Sequence, residues 1–205
     1  MTAMEVWNIE GFRYRNDDGT ETTATWVYNE NTDGTLEVDT NYRMRLDVDA
    51  EHTAGGSFAL TPTWQYQLNG GTWTAITGSS SVVKAVTSVN VSDGTATTAQ
   101  IAQVTDTFVA SEITTDGVSP ATSTMGSDSH TECELVFQIV GADVNDADTI
   151  GMRVLDDTTA ITPTALPAIE VNKTGAQADV ALRAVNLATP DPDALHGYVR
   201  DVNLL

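Results

Sequence analysis

Apolar and polar residues alternate with a period of two along much of the chain, the pattern of strands that bury one face. It is clearest where Tyr42, Met44, Leu46 and Val48 interleave with Arg43, Arg45, Asp47 and Asp49. Trp64, Tyr66 and Leu68 alternate with Gln65 and Gln67. Asn69-Gly70-Gly71 follows, residues that tolerate the positive φ of a tight turn, and Trp73 and Ile76 mark a returning strand. Cys133, Leu135, Phe137 and Ile139 lead through a turn near 142–148 to Ile150, Met152 and Val154, a second hairpin. Nearer the start, a strand over 6–15 sets Phe12 and Tyr14 against Arg13 and Arg15. The turn Asn16-Asp17-Asp18-Gly19 closes it, and a strand from about Glu21 to Tyr28 carries Ala24, Trp26 and Tyr28. Leu36 and Val38 begin a short strand that breaks at Asp39.

Residues 78–129 are less regular. Val82, Val83 and Val86 suggest a strand, Asp93-Gly94 a turn, 95–101 one helical turn and 107–110 another strand, while 117–129 reads as a polar surface loop. Pro62 belongs at a strand start or an edge. Pro163 and Pro167 make 161–171 an edge strand or an interrupted one, because proline donates nothing to a ladder. Nine or ten short strands with regular turn signals predict an all-β fold, an antiparallel β-sandwich of immunoglobulin-like or jelly-roll-like type with long loops. The sandwich is expected over 1–174. Residues 175–205 form a C-terminal strand or arm whose apolar end, Leu204 and Leu205, is placed to dock on a neighbour.

Charge narrows the function classes. The 205 residues carry 29 acidic and 9 basic side chains, a formal net charge of −20. Such a surface repels nucleic-acid phosphates and anionic membranes, which argues against both as partners. No stretch approaches the ~20 apolar residues of a membrane span, and the first residues show no basic and apolar segments of a secretory signal. Cys133 is the one cysteine, so no intrachain disulfide forms, and its alternating position predicts a small buried apolar side chain.

Candidate chemistry is sparse. Asp143, Asn145, Asp146 and Asp148 crowd one turn and are the metal-ligand candidates. The spacing lacks the glycine and distal glutamate of a calcium loop, so an Asx-rich hairpin turn is the preferred reading and no metal is expected. Asn16 to Glu21 reads the same way, a turn first and a cation site second. Arg13, Arg15, Arg43 and Arg45 would share the outer face of one sheet. There they either pair with Asp17, Glu21, Asp47 and Asp49 as surface ion pairs, or Arg43 and Arg45 meet an acidic partner subunit. His52, His130 and His196 sit in no catalytic motif, and no nucleophile elbow, zincin motif, phosphate loop or CxxC is present. The four tryptophans, Trp7, Trp26, Trp64 and Trp73, suit a core or a sugar-stacking platform.

Three segments, taken in order, carry a resemblance: Phe12 to Glu21 followed by Ala24-Thr25-Trp26, Tyr66 to Trp73, and Phe137 to Val154. Together they resemble a β-sandwich module of virion proteins of tailed bacteriophages, particularly marine ones, and of large surface proteins of marine bacteria. The resemblance spans about residues 9–171 and rests on turns and core aromatics. It implies a structural virion protein assembled in the host cytoplasm, foremost a capsid decoration or head-surface protein and next a tail or fibre subunit. It implies capsid or tail proteins as partners, a homo-oligomer such as a trimer, no catalytic residues and no cofactor. The reading from another class is a carbohydrate-binding or host-adhesion module, which needs two or more tryptophans in a solvent-facing groove.

Overall fold

The computed structural model describes residues 4–101, 106–116, 122–163 and 166–173. The expected arm over 175–205, with Leu204 and Leu205, lies outside the described residues. In chain order the strands are β1 (Trp7–Asn16), β2 (Gly34–Glu37), β3 (Asn41–Ala50), β4 (Ser57–Leu60), β5 (Pro62–Leu68), β6 (Thr74–Ala75), β7 (Val83–Ala85) and β8 (Thr95–Ala96). They continue as β9 (Thr107–Phe108), β10 (Glu112–Thr114), β11 (Ser123–Gly126), β12 (Ser129–Ile139), β13 (Thr149–Asp156), β14 (Thr159–Ala160), β15 (Thr162–Pro163) and β16 (Ala168–Asn172). The fold is all-β, as the alternation predicts, and its long pairings are antiparallel.

The first sheet runs β15-β1-β3-β12-β10-β8, with β7 and β9 also pairing with β12. The second runs β2-β16-β13-β5-β6, with β14 beside β13, and β4 and β11 form a two-stranded ribbon. Inward side chains of the two large sheets meet in one apolar core. Ile9, Phe12, Tyr14, Met44, Leu46, Val48, Cys133, Leu135 and Phe137 come from the first sheet. Trp64, Tyr66, Ile150, Met152, Val154, Ile169 and Val171 come from the second. The Tyr14 hydroxyl crosses between them and donates to the Ala168 carbonyl at 3.1 Å. Fully burying one such side chain contributes about 1.5–3 kcal/mol, so this core is the main source of stability.

The Asn69 turn follows its sequence: Asn69 at φ 48° and Gly70 at φ 68° turn the chain, and Gly71 N–H donates to the Leu68 carbonyl. Pro62 opens β5, and Pro163 lies in edge strand β15. Three expectations need correction. Glu21–Tyr28 forms no strand; one bridge joins Trp26 to Arg15, and Asp18 accepts from Thr25 N–H at 2.8 Å, holding a loop. The apolar residues there alternate because Ala24, Trp26 and Tyr28 each pack down separately. Residues 95–101 make no helical turn, because buried carboxylates take the backbone N–H groups of Thr98, Gln100 and Ile101. Within the expected polar loop, Ser123–Gly126 pairs with β4 as β11, placing Met125 in the core.

Candidate functional site

The outer face of the first sheet carries a layer of charge instead of solvent. Period-2 alternation puts Arg43, Arg45, Asp47 and Asp49 of β3 opposite the core. Antiparallel register then sets Arg45 beside Glu134, Asp47 beside Glu132 and Asp49 beside His130 on β12. On the other flank β1 brings Arg15 beside Arg43 and Arg13 beside Arg45. Two loops, 17–31 and the chain leading into and out of β8, lie over this face. Arg15, Arg43, Arg45, Asp47, Glu132 and Glu134 are each 0% exposed as a result.

Glu134 is the hub. It accepts from Arg45 Nε at 2.6 Å and Arg15 Nη1 at 3.2 Å, and Arg43 Nη1 lies 3.6 Å from its second oxygen. Arg45 also donates to Glu132 at 2.9 Å and Glu21 at 2.8 Å, and to the Thr98 carbonyl. Arg43 Nε donates to Asp17 at 2.8 Å, and other Arg43 nitrogens reach the carbonyls of Gly19 and Thr20. The remaining Glu132 oxygen accepts from Gln100 N–H at 2.6 Å and Ile101 N–H at 2.7 Å. The arginines thus hold both covering loops to the sheet by charge-assisted bonds.

The electrostatics follow from that geometry. Burial pushes the Arg15 pKa down against the pull of Glu134. Burial would do the same to Arg45, but Glu134, Glu21 and Glu132 outweigh it and hold its proton more tightly than usual. Burial would raise Glu21, yet Arg45 and the Thr98 N–H keep it below the ordinary carboxylate range. Burial raises the Asp47 carboxyl, opposed by His130 Nδ1 at 3.0 Å. Burial, with Glu51 and Asp106 next, raises Asp49 to about 7. On the opposite, core-facing side, burial pushes the Cys133 thiol up to about 12, leaving an inert apolar side chain.

The surface ion pairs expected of the arginines are therefore corrected. Asp17 and Glu21 do pair with Arg43 and Arg45, but inside the protein, with Glu132 and Glu134 as further partners. Arg43 and Arg45 have no exposed area to offer a partner subunit, because the loops and glutamates enclose them. Arg13 alone stays half-buried, donating to the Tyr28 carbonyl at 2.9 Å. Sequence reasoning missed Glu132, Glu134 and His130. Their signal was available: they alternate with Cys133, Leu135, Phe137 and Ile139, the core-facing residues of the same strand.

The Asp143–Asp148 turn is held by its own side chains. Asp148 accepts from Asn145 N–H at 2.7 Å and Asn69 Nδ2 at 2.8 Å, and Asp146 accepts from Lys173 N–H at 2.8 Å. These bonds engage Asp148 in the turn and in its link to the Asn69 hairpin, and one Asp146 oxygen in holding Lys173. The tryptophans are scattered. Trp64 lies in the core, and Trp7 borders a cleft of about 280 Å³ with Glu5 and Asp156. Trp26 is stacked under both Arg13 and Arg15 at 4.4 Å, and Trp73 lies 4.2 Å from the Arg153 guanidinium on the other sheet. Neither a protein-family model nor a curated protein sequence matches the chain.

Proposed function

We propose that this protein is a structural component of a tailed-bacteriophage virion, foremost a capsid decoration or head-surface protein, that acts by assembly without catalysis. The observation that carries the choice over a sugar-binding module is the fate of the tryptophans. Two contribute to the core, and the other two lie on different sheets with arginines stacked on their rings. A sugar platform needs two such rings free in one groove. The polar groups that converge in the described residues are consumed in holding loops to a sheet, which suits a rigid module whose outer surface does the work. The strongly acidic composition favours solubility before assembly.

Attachment in this reading uses exposed loops and repeated copies, since shells offer symmetric positions. The test is co-sedimentation of purified protein with empty capsids, beside a glycan array. Saturable pelleting with capsids and no glycan signal supports the reading. A specific glycan signal lost in Trp73→Ala, with no pelleting, would replace it with the adhesion module.

A further inference from the structure

A strand that ends a sheet leaves backbone N–H and C=O groups open, a template on which another chain can add. Of the strands that end the two large sheets, β15, β8 and β6 have two residues each and β2 has four. β2 pairs with β16 on one side. Backbone groups of successive residues point to opposite edges, so Thr35 and Glu37 present theirs away from β16. Side chains take them there. The Tyr28 hydroxyl accepts from Thr35 N–H at 3.0 Å and donates to the Thr35 carbonyl at 2.8 Å, the two bonds a neighbouring strand would make. The Tyr42 hydroxyl accepts from Glu37 N–H at 3.3 Å. Tyr28 is built into this position: its ring crosses Gly34, where a Cβ would fall 2.0 Å from it, and meets the Tyr14 ring edge-on at 6.4 Å. Thr35 and Glu37 are exposed, so water can satisfy their backbone groups and folding does not need the tyrosines for that purpose.

We propose that Tyr28 and Tyr42 are edge caps, hydroxyls that stand in for a strand beside β2, and that they exclude β2 of a second copy. A second copy is the chain that fits, because the same edge on two molecules can pair antiparallel about a two-fold axis. The other strands ending the large sheets need no such cap: they are two residues long, and β15 also carries Pro163. The net charge of −20 holds copies apart as well, but salt screens it, whereas the caps act at contact and at any ionic strength. Exposed Glu37 adds a charge on the edge itself. The device is independent of the virion reading.

The test is sedimentation velocity of the full chain, wild type beside Tyr28→Phe, in about 0.5 M sodium chloride to screen the net charge. Phenylalanine keeps the ring and frees both Thr35 groups, so the self-association constant should rise at least about tenfold. Thr35→Lys added to Tyr28→Phe should return it to the wild-type value, because an edge lysine repels a like copy. Association caused by misfolding would not be rescued in this way. In dilute protein, Thr35 N–H should exchange with solvent at least about tenfold faster in Tyr28→Phe, while Leu36 N–H, which faces β16, keeps its rate. Unchanged association, a rise that the lysine does not reverse, or an unchanged Thr35 rate would each overturn the proposal. Should Tyr28→Phe fail to fold, Tyr42→Phe is read in the same way at Glu37 N–H, and unchanged association and exchange there would equally overturn it. Capsid co-sedimentation has no bearing on any of these outcomes.

Discussion

Replacing Glu134 with glutamine tests whether the charge layer holds this fold together. The change is nearly isosteric, so it removes charge and little volume. Glu134 takes Arg45 at 2.6 Å and Arg15 at 3.2 Å, with Arg43 at 3.6 Å, all at zero exposure. At an effective dielectric of about 20 the 3.2 Å contact alone has a gross attraction of about 5 kcal/mol. The glutamine amide would also point a donor at groups that only donate. Breaking one member out of a buried ion network costs about 3–5 kcal/mol, because the remaining charges stay buried without compensation. For a domain of this size that is a Tm loss of about 10 °C. The assay is urea unfolding followed by tryptophan fluorescence, at low salt and in 1 M sodium chloride. Salt screens exposed pairs and barely touches enclosed ones, so the deficit should persist at 1 M. A loss under about 0.5 kcal/mol, the size expected of a surface pair, or one that disappears in salt, would refute the reasoning.

Further tests follow from single contacts. A Cβ on Gly34 would fall 2.0 Å from the Tyr28 ring, whose hydroxyl is clamped to the backbone of Thr35. Gly34→Ala should therefore cost about 1–3 kcal/mol by urea unfolding, and an unchanged midpoint would contradict it. Cys133 should resist Ellman's reagent in the native state at pH 8 and react at once in urea, because its buried thiol titrates near 12; fast native labelling would contradict its placement. Asp49 titrates near 7 in the fold, above its ordinary value of about 3.9. The folded state thus binds the extra proton, and this contribution to stability is present below about pH 4 and lost as pH rises through 7. Asp49→Asn should match the wild type at low pH and exceed its Tm increasingly toward pH 8. A gap constant from pH 5 to 8 would show the group is not buried as described.

Much of the architecture was legible because strands β1, β3, β5, β12 and β13 bury one apolar face each, and period-2 alternation reports that directly. The Asn69-Gly70 turn was legible for the same kind of local reason, its positive φ values. The Glu21–Tyr28 segment misled because alternation alone cannot distinguish pairing from separate packing events: Trp26 finds two arginines, while Tyr28 finds Thr35. The charge layer was only half legible. Arg43, Arg45, Asp17 and Glu21 stood out as a set, but their burial depends on loops folding back from 70 to 80 residues away, as when Ser88 and Asn90 close over Asp17. No local pattern carries that information. The Asp143–Asp148 cluster shows the converse: its acids stood out in the sequence, and the bonds that engage them are local to the turn, with Asp148 accepting from Asn145 N–H, or reach Lys173 N–H from Asp146.

The functional account stands or falls on where the protein sits. Under the proposed virion role, purified protein mixed with empty tailed-phage capsids from the source of this sequence, and imaged by electron cryomicroscopy with symmetry averaging, addresses this directly. The account predicts added density of β-sandwich shape at symmetric sites on the outer shell, saturating with concentration. Capsids indistinguishable from the undecorated shell at saturating protein would contradict it.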